Sequence, residues 1–114
     1  MTMNNEQPIC EVDEYGTKWW WLNNKRHRED GPAVECADGY KAWYLNGKLH
    51  RLDGPAAEYI NGDKFWYLNG KRHREDGPAI ECTNGYKAWY VDGEQIEVSD
   101  NDTFLRMMNL KAFW

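Results

Sequence analysis

The strongest constraint on this chain is a 23-residue period carried without insertion, marked by Trp20, Trp43, Trp66 and Trp89. Residues 20–42 read WWLNNKRHREDGPAVECADGYKA, 43–65 read WYLNGKLHRLDGPAAEYINGDKF, and 66–88 read WYLNGKRHREDGPAIECTNGYKA. A fourth copy opens with WYVDGE and then loses the pattern. A fixed period of this length marks a repeat array, in which each unit buries its apolar surface only against its neighbours.

Within a unit, two strand signals alternate with two turn signals. Lys41-Ala42-Trp43-Tyr44-Leu45 alternates in side-chain character and predicts a strand. Asn46-Gly47 is the dipeptide favoured where both central turn residues need positive φ. A second short strand is expected over Lys48-Leu49-His50-Arg51, broken by Asp53-Gly54-Pro55. An extended segment from Ala56 to Tyr59 then returns through Asn61-Gly62 to the next tryptophan.

The expected fold is therefore all-β: an antiparallel meander of hairpin units in one twisted sheet, over residues 8–98. Side-chain alternation sends the Trp column to one face and Tyr44, Tyr67, Tyr90 and Trp21 to the other. A third column alternates large and small: Trp19, Ala42, Phe65, Ala88. Residues 8–18 look like a degraded half-unit, with Pro8-Ile9-Cys10-Glu11 matching Pro32-Ala33-Val34-Glu35. The spacing is one residue too long, which predicts a bulge or looser turn.

Residues 99–114 form a second segment. Ser99-Asp100-Asn101-Asp102 has the character of a helix N-cap, and an apolar-rich helix is expected from Thr103 to Trp114. That helix would cover the end of the array, a partner chain, or both.

The formal net charge of -5 argues against general adhesion to nucleic acid or to an anionic membrane. No stretch approaches the roughly 18 apolar residues of a membrane helix. The first residues carry neither a basic nor an apolar signal-peptide region. Cys10, Cys36 and Cys82 are odd in number, and Cys36 and Cys82 occupy the same position two units apart. At strand spacing those two lie roughly 19 Å apart, beyond disulfide reach. Reduced thiols in a cytoplasm are expected.

His27, His50 and His73 invite a metal reading, but equivalent residues in successive hairpins are about 10 Å apart and cannot share one ion. Arg28, Arg51 and Arg74 each precede an aspartate by two residues, which suggests an ion-paired turn or a basic column open to a partner. No phosphate loop, metalloprotease motif, nucleophile elbow or paired-carboxylate site is present. The distinctive residues are repeated, whereas a catalytic centre is a unique constellation. No catalytic residue, metal site or cofactor is therefore assigned. The candidate binding residues are Trp43, Tyr44, Arg51, Trp66, Tyr67 and Arg74, the rings and guanidiniums of the central units.

Asn46-Gly47-Lys48, His50, Asp53-Gly54 and Asn61-Gly62 fall where the nGk, H, G and dG of the MORN repeat fall, and the chain resembles that family over about residues 15–93. It departs in having His-Arg where the family has His-Gly, and Pro-Ala after the second turn glycine. This HR-x-DGPA variant resembles repeats in small proteins of large tailed phages. The resemblance implies successive β-hairpins, and a scaffold or protein-binding role. The expected function is a non-enzymatic module that binds and interferes with a host defence or regulatory protein in the host cytoplasm. The alternatives are sequestration of a small anionic or nucleotide ligand, and a structural homo-oligomer or homodimer joined through the C-terminal helix or a sheet edge.

Overall fold

In the computed structural model, which describes residues 7–111, the strand that carries each tryptophan changes partners at that residue. In the central unit, β5 (Lys41–Ala42) lies between β4 (Val34–Glu35) and β8 (Ala57–Glu58). One residue further on, β6 (Tyr44–Leu45) pairs instead with β7 (Lys48–Leu49) across the Asn46-Gly47 turn. Trp43 sits at this fork. Its N–H donates to the Ala56 carbonyl at 2.7 Å, and its carbonyl accepts from the His50 N–H at 2.9 Å. Trp66 repeats the arrangement between β9 (Lys64–Phe65), β10 (Tyr67–Leu68), β11 (Lys71–Arg72) and β12 (Ile80–Glu81).

The flanking copies complete the sheet with β1 (Ile9–Val12), β2 (Lys18–Leu22), β3 (Lys25–Arg26), β13 (Lys87–Val91) and β14 (Glu94–Ile96). Its order is β1-β2-β4-β5-β8-β9-β12-β13-β14, every pairing is antiparallel, and the sheet does not close. The protein is an antiparallel meander, as its period predicts. The hairpin arms that leave the sheet also touch one another: Gly47 N–H donates to the Arg26 carbonyl at 2.9 Å and Gly70 N–H to the Leu49 carbonyl at 2.8 Å.

Three local expectations are corrected. The strand over residues 41–45 is not continuous, because at the fork its backbone groups turn to two different partners; only β2 and β13 run unbroken past a tryptophan. The second hairpin strand stops at Leu49; His50 adds one last bond to the Trp43 carbonyl, and the Arg51 N–H turns to the Tyr67 carbonyl of the next unit at 3.2 Å. The N-terminal turn is neither bulged nor loose. Val12 pairs with Lys18 as Glu35 pairs with Lys41, so both turns span five residues and the sequence likeness is offset by one.

The interior is thin. Trp19, Val34, Ala42, Ala57, Phe65, Ile80 and Ala88 lie opposite one another across the sheet, so bulky Phe65 stands beside Ala57. The column read from the sequence is thus interleaved with Val34, Ala57 and Ile80, and strict large–small alternation is not kept, since Phe65 has Ile80 on its other side. The Tyr40 and Tyr59 rings lie tilted with centres 4.7 Å apart, and Tyr59 meets Phe65 edge to face at 5.6 Å. Burial there, with Tyr59 alongside, pushes the Tyr40 phenol up to about 12. The neighbouring positions form a ladder of alternating sign: Lys18, Glu35, Lys41, Glu58, Lys64, Glu81, Lys87.

The helix α1 (Asn101–Lys111) begins two residues earlier than expected, because Asp100 is the cap. Its Oδ1 accepts the Thr103 N–H at 2.8 Å, and that bond holds the Asp100 carboxyl below its usual range. The expected continuation over 112–114, including Phe113, lies outside the described residues. Asn101, Phe104, Leu105 and Met108 form the covered stripe of α1, and Phe104 is fully buried. The Phe104 ring lies 6.4 Å from Trp89, whose Nε1–H donates to Asn101 Oδ1 at 3.0 Å. The helix therefore covers the end of the array.

Candidate partner-binding face

The two columns expected on opposite faces are on opposite faces. Trp43, Leu45, Trp66 and Leu68 line one side, while Tyr44 lies across from Leu49 and Tyr67 across from Arg72 on the other. Of the six candidate residues, the structure brings Trp43, Arg51, Trp66 and Arg74 together and places Tyr44 and Tyr67 behind them.

Each arginine of the first group is held on several sides. The Arg51 guanidinium lies 3.8 Å from the centre of the Trp43 ring. Its Nε donates to Asp53 at 3.2 Å, and its Nη1 to the Pro55 carbonyl at 3.0 Å and to Glu58 at 3.1 Å. Arg28 on Trp20 and Arg74 on Trp66, both at 3.9 Å, repeat this set with Asp30, Pro32, Glu35 and with Asp76, Pro78, Glu81. The glycine of the Asp-Gly-Pro turn makes room for it, since a Cβ on Gly54 would stand 2.9 Å from the Arg51 guanidinium carbon. The ion-paired turn is present, and it extends well beyond the neighbouring aspartate.

The histidines serve the turns. Nδ1 of His27, His50 and His73 accepts the backbone N–H of Asn46, Asn69 and Asp92 respectively, at 2.9, 3.0 and 2.9 Å. Each imidazole thereby fastens the hairpin tip of the following unit. Among the described residues no cluster of three or more His, Cys, Asp or Glu side chains could hold a metal ion. The cysteines are free. No described helix is long and apolar enough to cross a membrane.

Between successive His-Arg-x-Asp-Gly loops the surface opens into two equivalent grooves. One, of about 730 Å³, has the loop of Arg28–Gly31 on one wall and Trp43, Leu45, His50 and Arg51 on the other. The next, of about 620 Å³, has Arg51–Gly54 opposite Trp66, Leu68, His73 and Arg74. Their rims carry the exposed carboxylates of Glu29, Asp30, Asp53, Glu75 and Asp76. Leu52 stands on the ridge and lines both grooves. Leu52 is not among the six candidate residues, yet it carries a sequence signal of its own: residues 29 and 75, one period away on either side, are glutamates.

No family model, curated protein or solved structure matches the chain.

Proposed function

We propose that the protein is a non-enzymatic binding module that holds a protein partner on its grooved, tryptophan-bearing face. The observation that carries this reading is the repetition of one groove, side by side, on an array whose chemically versatile residues are committed to holding it together. Histidine Nδ1 is taken by a turn amide, and the arginine fork by two carboxylates and a carbonyl. A repeated surface suits contact with an extended partner better than chemistry at a point. The acidic rim disfavours the small anionic ligand, which would need guanidiniums free of carboxylates. The resemblance to phage-borne repeats points to a host protein as the partner, and interference with it as the outcome.

The test is affinity capture from candidate host cells followed by mass spectrometry and reconstitution with the purified partner. A stoichiometric complex weakened by charge reversal at the groove rim, Glu29→Lys with Glu75→Lys, is the expected result. A released nucleotide and no protein, or a protein bound equally by the reversed variant, overturns this reading.

A further inference from the structure

The central unit breaks its own pattern on the grooved face. Residues 27–31 and 73–77 both read HREDG, whereas 50–54 read HRLDG. In the outer units the glutamate answers the histidine, with Glu29 Oε2 3.5 Å from His27 Nε2 and Glu75 Oε2 2.9 Å from His73 Nε2. His50 has no such neighbour, because the side chain there is Leu52. That leucine is 83% exposed, among the most exposed large apolar side chains of the described residues. It stands midway between the two grooves, with Trp43 and Leu45 in one and Trp66 and Leu68 in the other.

The spacing of these features has a helical match. Each unit adds two strands to the sheet, so successive grooves are about 10 Å apart. Two side chains seven residues apart on an α-helix are separated by about 10.5 Å and lie on one face, with the positions three and four beyond the first between them. A helix running along the array, across the loops, thus sets one large side chain in each groove and packs the turn between them on Leu52. It is too wide to sink into a single groove, since a helix with its side chains is about 10–12 Å across.

The end of the array shows the chemistry that such a face accepts. There α1 lies against Trp89, the counterpart of Trp43 and Trp66, through Phe104 and the Asn101 amide. In the unit before it, Gly77 and Pro78 are buried, while Gly31, Pro32, Gly54 and Pro55 are only half-buried. An aromatic anchor on an amphipathic helix therefore already covers this surface where a further loop is lacking. The exposed carboxylates along the two open grooves add a preference for cationic flanks.

We propose that the two grooves and Leu52 together receive one amphipathic helix of a partner protein, lying along the array. It carries large apolar side chains seven residues apart and lysine or arginine on its flanks. The proposal rests on the protein-binding reading above and names the element that would be bound.

The experiment titrates the full chain into a fluorescently labelled helical peptide of alanine and lysine. The peptide bears phenylalanine at two positions seven apart and leucine four residues after the first. The expected result is saturable binding at one peptide per chain, followed by anisotropy. Leu52→Glu should weaken it at least about tenfold, the scale of a central anchor. Moving the second phenylalanine two positions closer should do the same. Leu52→Glu only copies the residue of the neighbouring units, and an unchanged melting temperature confirms that the fold is kept. Absence of saturable binding overturns the proposal. So does equal binding by Leu52→Glu, or equal binding of a peptide lacking both phenylalanines, which would mark charge attraction alone. A captured protein partner whose affinity is indifferent to Leu52→Glu removes this docking mode and leaves the protein-binding reading standing. A released nucleotide with no protein captured from host cells overturns the protein-binding reading, and this proposal with it.

Discussion

At the scale of single residues, the stability of the array rests on a few side chains that each serve several groups. Arg51 is the clearest. Replacing it with alanine removes charge-assisted bonds to Asp53 and Glu58 and uncovers the Trp43 ring, in a side chain only 24% exposed. A loss of about 1.5–3 kcal/mol is expected in urea unfolding, and Arg51→Lys should recover little, because the fork and the flat stacking surface are both lost. Gly54→Ala should cost about 1–3 kcal/mol through overpacking alone, since Gly54 does not have positive φ and the new methyl meets the guanidinium. His73 offers a contrast. His73→Ala should release the Asp92 amide, seen as faster hydrogen exchange there, while His73→Asn keeps an acceptor near Nδ1 and restores most of the protection. The Arg–Asp pairing was legible as a spacing of two. The stack on tryptophan eight residues earlier and the bond from histidine to a turn 19 residues later were not. Both distances recur in every unit, but periodicity states only that they are constant, not that they are contacts.

At the scale of elements, the turns set the register and the helix closes the end. Asn46 and Gly47 have φ of 52° and 81°, the left-handed pair that Asn-Gly predicts. Gly47→Val and Gly70→Val should each cost about 1–3 kcal/mol, because a β-branched residue resists that region. The second turn of each unit is closed by a side-chain oxygen, from Asp38, Asn61 or Asn84, and the central unit adds a carboxylate that reaches its neighbour. Asp63 accepts from the Thr83 N–H and hydroxyl of the next unit, and that backbone bond, with help from Asn61, holds its carboxyl below the ordinary value of 3.8. A depressed native value favours the fold above the unfolded value and loses that contribution as pH falls through the native one. Stability should therefore decline as pH drops below about 4, less steeply in Asp63→Asn. Phe104→Ala should cost about 3–5 kcal/mol and red-shift the tryptophan emission as Trp89 becomes wet. The existence of strands, turns and helix was legible here. The break of the strand at Trp43 and Trp66 was not, because alternation continues through it, and β2 and β13 carry the same residue types without breaking.

At the scale of the whole molecule, the array is open and flat, with extents of 48 × 38 × 18 Å. Its radius of gyration of 16.5 Å exceeds the roughly 13 Å of a compact chain this long. Nearest-neighbour contact permits extension. A second copy of residues 43–65 inserted after Phe65 should fold and lengthen the particle by about 10 Å in solution scattering, adding one further groove. Failure of that chain to fold would mean that the three units are not interchangeable.

The placement of the histidine and turn-amide bonds carries a mechanical consequence. Because the meander stacks its strands in chain order, the bonds between units lie along the line joining the two ends of the array. Tension applied at those ends loads them one rung at a time rather than in shear. Each unit that yields frees 23 residues, about 80 Å of extended chain. Under a pulling force the molecule should behave as a row of small, evenly spaced fuses that open at low load and reset in the same order.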